Sequence, residues 1–385
     1  MEAKPSTGKR RSVVSGGPSG LTCAYYLANL GHEVHVYEAE NVAGGVLYWG
    51  IPEYRLPKDV LAKEVKAIEQ SGVSIHCNVR VGETISFEAL KSQSDAVYVA
   101  IGTQQSRTLG IPGEDLPGVE NGLIFLKRIG LKQNFTVPER LIVIGGGSTA
   151  MDVARTAVRL GSKEVTVVYR RTEREMPAGA EEIQEAREEG IRIITLASPV
   201  RIMERGGAVC GIELVKRQLT DYGSDGRRRS AHIEGSEFVL ECDGIITAIN
   251  QDVDHKFHQT TQLDFDRKGR IDVHQFTSRT SEEGVFAGGD TSPWGANVAV
   301  NAIADGKKAA VNIDKYLGGS GELNMGEWLE IPVIPDMEVT EPHMRFPVRT
   351  LPVDERIDNF KEVACGFHKL DAIGEAFRCL HCDRR

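Results

Sequence analysis

Two glycine-bearing runs hold the residue types and spacings that could do chemistry. Leu141-Ile-Val-Ile-Gly145-Gly-Gly147-Ser148-Thr149-Ala150 is an apolar run, a G-x-G-x-x-A turn and a helix start. Arg11-Ser-Val-Val-Ser15-Gly-Gly17-Pro18-Ser19-Gly20 repeats the plan with serine at the first glycine position, where Gly16 is expected to relax the turn instead. Glycines at such a turn let a pyrophosphate reach backbone N–H groups at the positive end of a helix. Each run leads through an amphipathic helix to a second apolar strand. The first such strand ends on Glu38, the second on Arg170 and Arg171. A carboxylate accepts hydrogen bonds from ribose hydroxyls and repels a 2′-phosphate, whereas a guanidinium binds that phosphate in bidentate fashion. The first turn therefore suits FAD and the second NADPH, with Arg174 a further candidate for the phosphate and NADH the alternative coenzyme.

Three later runs extend the pattern. Asp95-Ala-Val-Tyr-Val-Ala100-Ile-Gly102 and Cys242-Asp-Gly-Ile-Ile-Thr-Ala248-Ile249-Asn250 each read as a strand ending in a small-residue turn, the expected crossing points between two domains. Asn250 stands where glycine would be easiest, and Asn tolerates left-handed backbone. Gly284-Val-Phe-Ala-Gly288-Gly289-Asp290 delivers Asp290 toward a ribityl hydroxyl. The next helix is expected to begin near Asn297, Val298 and Ala299, with its positive end toward the flavin N1–C2=O edge.

The elements that must position these residues form an α/β protein with two Rossmann-like dinucleotide-binding domains, the second inserted into the first, and an extended C-terminal segment. The expected boundaries are 10–125 with 255–320 for the FAD domain, 126–254 for the NAD(P)H domain and 321–385 for the extension. The 385 residues include 46 Lys plus Arg against 55 Asp plus Glu, a net charge of −9, which argues against a nucleic-acid binder. No run reaches the ~18 apolar residues of a membrane span, and the polar, basic start is not expected to act as a secretory signal. Seven scattered cysteines favour free thiols over a disulfide framework. A cytoplasmic location is expected.

Other segments resemble a known family. Gly44-Gly45-Val46-Leu47-Tyr-Trp-Gly50-Ile-Pro-Glu-Tyr-Arg55-Leu-Pro-Lys-Asp-Val-Leu61 is similar to the G-G-x-L-x-x-G-I-P-x-x-R-L-P segment of glutamate synthase small-subunit-like FAD oxidoreductases. Tyr169-Arg-Arg-Thr-Glu-Arg174-Glu-Met-Pro177, Asp225-Gly-Arg-Arg-Arg229, Arg356-Ile-Asp-Asn-Phe360 and Glu375-Ala-Phe-Arg-Cys379-Leu-His-Cys382 resemble further signatures of that family. The resemblance covers roughly residues 10–383. It includes the flavin/NADPH half of dihydropyrimidine dehydrogenase and the NADPH-side subunit of ferredoxin:NADP transhydrogenases.

The resemblance implies that FAD takes hydride from NAD(P)H and passes single electrons to iron–sulfur clusters. It implies flavin contacts at Ala39, Gly45, Val46, Leu47, Gly50, Arg55, Val81, Ala100 and Gly102. The 44–47 loop and the 297–299 helix start would flank the ring. Family members usually carry a cysteine-rich domain before the first strand, which here starts near residue 11, so the electron outlet is expected on an iron–sulfur partner subunit in a hetero-oligomer. An electron-bifurcating or hydrogenase-linked complex is one setting. The alternatives are a glutamate synthase small subunit, a stand-alone NADPH oxidoreductase, and a non-catalytic nucleotide-sensing or scaffold subunit.

Cys379 and Cys382 could supply half of an iron–sulfur or zinc site, completed by Cys365 or a partner, or else end a docked terminal helix. No cysteine lies between Cys23 and Cys77, and Cys242 is read as alone in the inserted domain, so a dithiol relay is not expected. Hydride transfer needs alignment at about 3–3.5 Å rather than a general base, so no acid–base residue is assigned.

Overall fold

The computed structural model describes residues 5–223, 226–249, 251–295, 298–323 and 344–378. Two five-stranded parallel sheets organise them. The first runs Val285–Ala287, Ala96–Val99, Arg10–Val14, Glu33–Tyr37, Val73–His76, and the second Val119–Asn121, Gly244–Thr247, Arg140–Ile144, Glu164–Tyr169, Arg192–Thr195. A parallel strand covered on both faces must be apolar throughout. All four residues of Ala96–Val99, and all four of Gly244–Thr247, are buried accordingly.

In both sheets the strand before the glycine turn is central, with the strand that follows its helix on one side and a later one on the other. Strand order reverses beside that turn, which is where open α/β sheets take ligands. The chain leaves the first sheet after Ala96–Val99 and returns to it at Val285–Ala287. On the way out and on the way back it forms a two-stranded ribbon, pairing Gln105 with Asp252 and Ser106 with Gln251. Arg107 clamps the ribbon on Asp252 at 2.6 Å.

Helices Pro18–Asn29 and Ala299–Tyr316 cover one face of the first sheet around Val13, Leu27, Val36, Tyr98 and Phe286. They approach so closely that a Cβ on Gly306 would lie 2.2 Å from the Ser19 carbonyl oxygen. Helices Gly122–Gly130, Ser148–Arg159 and Ala180–Glu188 cover one face of the second sheet. An antiparallel sheet, Ala197–Arg205, Ala208–Tyr222, Arg228–Glu241, packs on the other through Ile142, Ile144, Ile212 and Leu214.

The stretch 344–378 holds the short helix Val353–Arg356 and the helix Lys369–Phe377. It is tied down by charge. Arg155, Arg159 and Arg356 all donate to Glu189, whose side chain is fully buried, at 2.6 to 3.0 Å. Among the described residues no helix is long and apolar enough to cross a membrane.

Candidate functional site

At the first turn the burden falls on Ser15. Its φ is +87°, in the left-handed region that disfavours a side chain, and its N–H donates to Tyr37 O at 2.8 Å. Gly16, expected to relax the turn, is not among the positive-φ glycines. The correction has a physical basis in Glu38. This carboxylate is buried and accepts the Gly16 N–H at 2.7 Å and the Glu40 N–H at 2.8 Å, with Ser15 Oγ 3.5 Å away. It stitches the turn to the end of the second strand and so holds Ser15 in place. Burial raises the Glu38 pKa, opposed by the two backbone bonds. Gly20 is required for closeness, since a Cβ there would sit 2.0 Å from Ser15 O.

Helix Pro18–Asn29 starts at Gly17 with proline in its first turn, no side-chain cap and no acidic residue in that turn. Some helices elsewhere are capped, with Ser86 Oγ accepting from Ala89 N and Asn121 Oδ1 from Leu123 N and Ile124 N, whereas Lys58–Gln70, Ala299–Tyr316 and Lys369–Phe377 likewise lack a side-chain cap. The first-turn N–H groups of an uncapped helix need another acceptor. Around Gly17 the backbone crowds in and leaves one side open. A Cβ on Gly45, at φ +56°, would lie 2.8 Å from Gly17 Cα, and one on Gly289, at φ +71°, would lie 3.0 Å from Ser19 Cβ. A Cβ on Gly17 itself would meet only Ser15 Oγ, at 3.8 Å. Uncapped donors facing open space between closely packed backbones fit a dinucleotide pyrophosphate.

Beside it a solvent-open cleft is lined by Ser15, Glu38, Ala39, Val81, Gln104 and Thr260, among others. Val46 and Leu47 begin the short helix capped by Gly45, and Gly50 closes it. Ala100 is buried at the end of its strand, and Gly102 has φ +68°. Asp290 lies in the 3-10 turn Gly289–Thr291, and the next helix, Ala299–Tyr316, starts at Val298. Asn297 lies outside the described residues.

Arg55, expected as a flavin contact, is held by two carboxylates. Its Nη1 lies 2.8 Å from both carboxylate oxygens of Asp152, and its Nη2 lies 2.7 Å from Glu182. Asp152 is 5% exposed, and burial pushes its pKa up to about 6 against the attraction of Arg55. The arginine is thus committed to the junction between the first unit's loop and the second unit's first helix. Asp152 escaped the sequence reading, although its place two residues after Ala150 sets it one turn into the helix.

The second turn repeats the architecture with a glycine at its start. Gly145 has φ +154°, and a Cβ there would lie 2.3 Å from Ala248 O, so the crossing strand closes directly onto the turn. Gly147 begins helix Ser148–Arg159, again with no side-chain cap and no acidic first turn, and a Cβ on it would meet nothing within 4 Å. Ala150 is fully buried, Thr149 half-buried, and Ser148 Oγ donates to Glu182 at 2.9 Å. The expected arginine pair divides: Arg170 and Arg174 are exposed, Arg171 is buried. Ile249 is half-buried, and Asn250 lies outside the described residues.

Cys242 is not alone in its unit. Its N–H donates to the carbonyl of Cys210 on strand Ala208–Tyr222 at 3.4 Å, just past the end of strand Arg228–Glu241. Burial pushes the Cys242 thiol up to about 12, which keeps it protonated near neutral pH. Cys365 is exposed, and Cys379 and Cys382 lie outside the described residues. Among the described residues no cluster of three or more His, Cys, Asp or Glu is placed to hold a metal ion.

Comparison with known proteins agrees with this fold. The family model for pyridine nucleotide-disulphide oxidoreductases matches residues 9–306. The chain is 38% identical to the NADP(+)-dependent formate dehydrogenase subunit beta of Moorella thermoacetica, over 98% of this chain and 55% of that one. It is 34% identical to the glutamate synthase [NADPH] small chain of Escherichia coli, over 82% of this chain and 70% of that one. It therefore spans little more than half the length of the Moorella subunit. FprA of Mycobacterium tuberculosis, solved in complex with NADPH, shares the fold with a TM-score of 0.70 at 20% identity, over 82% of this chain and 85% of that one.

Proposed function

The chain belongs to the pyridine nucleotide-disulphide oxidoreductase family, as a glutamate synthase small-chain-like, NAD(P)H-dependent flavoprotein oxidoreductase, and on that premise we propose that it draws hydride from NADPH and feeds an iron–sulfur subunit of a cytoplasmic hetero-oligomer. The observation that carries the coenzyme reading is the contrast between the two turns. One strand ends on a buried carboxylate, Glu38, and the other on an exposed guanidinium, Arg170. The first favours an unphosphorylated ribose and the second a 2′-phosphate.

FAD supplies the chemistry that turns a two-electron hydride into single electrons; the protein supplies positions. In this reading the Gly17 turn and the start of helix Pro18–Asn29 hold the FAD pyrophosphate, Glu38 its adenosine ribose and Asp290 its ribityl chain. The 45–47 loop and Val298–Ala299 border the ring, and Ala39, Val81, Ala100 and Gly102 line the cleft. Gly145, Gly147 and Ala150 hold the coenzyme pyrophosphate. The corresponding domains are those expected from the sequence, except that strand Val119–Asn121 and helix Gly122–Gly130 go with the second unit, whose sheet and core they join.

An external acceptor follows from the cysteines. None occurs between Cys23 and Cys77, and Cys23 itself is fully buried with its thiol pKa raised well above the ordinary value. No dithiol stands ready to receive electrons there. Both relatives are named as subunits, a beta subunit and a small chain, which favours a partner over a free-standing reductase.

The test is one preparation. The purified chain should be yellow, and anaerobic NADPH should bleach it faster than NADH at equal concentration. A ferredoxin-type iron–sulfur protein added afterwards should restore the colour. A colourless protein that gains no flavin on incubation with FAD would sink the proposal, and restoration only by oxygen would remove the iron–sulfur partner.

A further inference from the structure

Arg217 lies on strand Ala208–Tyr222, far along the chain from the strand end that carries Arg170 and Arg171. One residue joins the two places. Leu196, in the left-handed region at φ +54°, donates its N–H to Arg171 O at 3.0 Å and accepts the Arg217 N–H at 2.8 Å. The backbone of Arg217 is therefore pinned beside the exit of strand Glu164–Tyr169.

Its side chain is oriented from behind. Nε donates to Ser230 Oγ at 2.8 Å, one terminal nitrogen to Ser198 Oγ at 3.0 Å, and the other to the Ser230 carbonyl. A guanidinium has five N–H groups. These bonds use three and leave one on each terminal nitrogen, donors that a phosphate can accept. The partners that hold Arg217 are hydroxyls and a carbonyl, which leave its charge uncompensated. Burial, then the charges of Arg170 and Arg171, lower its pKa.

We infer that Arg217 is a further guanidinium of the coenzyme 2′-phosphate site, so that the choice between NADPH and NADH is set from the antiparallel sheet as well as from the strand end. This rests on the reading that the second unit takes NADPH. No feature of the sequence marks the residue: Lys216 and Arg217 read as surface charges on a strand. The competing role is a tie between Ser198 and Ser230 across the antiparallel sheet, and it makes different demands on an experiment.

The test titrates the full chain with 2′,5′-ADP and with 5′-AMP, which differ only by the 2′-phosphate, in wild type, R217Q, R217K and R170A. Losing a hydrogen-bonded charge on the phosphate should weaken 2′,5′-ADP binding by R217Q about tenfold or more. Binding of 5′-AMP should change less than twofold, and R217K should fall between wild type and R217Q. The ratio of kcat/KM for NADPH to that for NADH should drop in step. Equal losses for both ligands, or no loss for either, would overturn the inference in favour of the structural tie. R217K keeps the charge and the stem, so it carries the same test if R217Q fails to fold; an unchanged ligand ratio there also overturns the inference. A wild type that binds both ligands alike removes the NADPH reading and this inference together. Discrimination lost in R170A but kept in R217Q removes this inference alone.

Discussion

Arg55 and Asp152, 97 residues apart in the chain, form an ion pair in which one guanidinium nitrogen of the exposed arginine lies 2.8 Å from each oxygen of the buried carboxylate. Breaking it from one side leaves a carboxylate uncompensated in the interior, at a cost of about 3–5 kcal/mol. R55M should therefore lower the thermal midpoint clearly. Combining it with D152N should recover part of that loss, because the stranded charge is gone. Thermal melts of the two single variants and the double variant measure this, and strictly additive losses would show that the two residues are not coupled.

The same carboxylate sets a pH dependence. Its folded pKa of about 6 lies above the ordinary aspartate value, so between about pH 4 and 6 the folded state binds the extra proton. Its contribution favours the fold at low pH and is lost as pH rises through that window. A shift of about 2 pH units corresponds to about 3 kcal/mol. The stability of D152N relative to wild type should therefore improve by up to that amount from pH 4 to pH 7. Parallel curves for the two proteins would refute the assignment.

Glu189 behaves in the opposite sense. Burial alone would raise its pKa, but hydrogen bonds from Arg159 and Arg155 hold it below the ordinary range. Its contribution is present above the unfolded glutamate value, near pH 4.3, and is lost as pH falls through the lower folded value. E189Q should lose about 3–5 kcal/mol near neutrality. It should also expose residues 344–378 to limited proteolysis, because Arg356 anchors that stretch through Glu189. Proteolysis indistinguishable from wild type would separate the network from the strap.

What the sequence made legible was local. A strand, glycine turn and helix announce themselves because only glycine fits where Gly20 meets Ser15 O or Gly145 meets Ala248 O. Glu38 and Arg170 could be placed because each ends a strand that follows such a unit. Ser15 shows the limit. A left-handed serine held by a carboxylate 23 residues on looks in the sequence like a missing glycine. The carboxylate partners of Arg55 and the place of Arg217 are not legible in the sequence, because both depend on how distant elements meet. Arg55 finds its counter-charge on another unit's helix, and Arg217 reaches the site only through the register of a hairpin and one left-handed leucine.

Gly45 should be indispensable for holding flavin. A Cβ there would meet Gly17 Cα at 2.8 Å, and its φ of +56° adds backbone strain of about 1–2 kcal/mol for a non-glycine residue. G45A should push the 44–47 loop away from the helix start and release the cofactor. The ratio of absorbance near 450 nm to that at 280 nm, measured after gel filtration, should fall several-fold. Gly207 at φ +84° has no atom within 4 Å of its would-be Cβ, so G207A carries a similar strain without a clash and serves as the control. Full flavin retention by G45A would move the pyrophosphate away from this turn.

The exposed and buried members of the arginine pair should separate in kinetics. Arg170 is exposed, so R170A removes charge without removing packing. It should raise KM for NADPH about tenfold or more while KM for NADH moves less than twofold, since a charged hydrogen bond contributes about 1.5–3 kcal/mol. The thermal midpoint should stay near that of wild type. Arg171 is 7% exposed and its carbonyl accepts the Leu196 N–H, so R171A also disturbs the join to the antiparallel sheet. That variant should lower the midpoint and weaken both coenzymes. Steady-state kinetics with each coenzyme, alongside melts, distinguish the two. Equal effects of R170A on NADPH and NADH would take the 2′-phosphate away from this strand end.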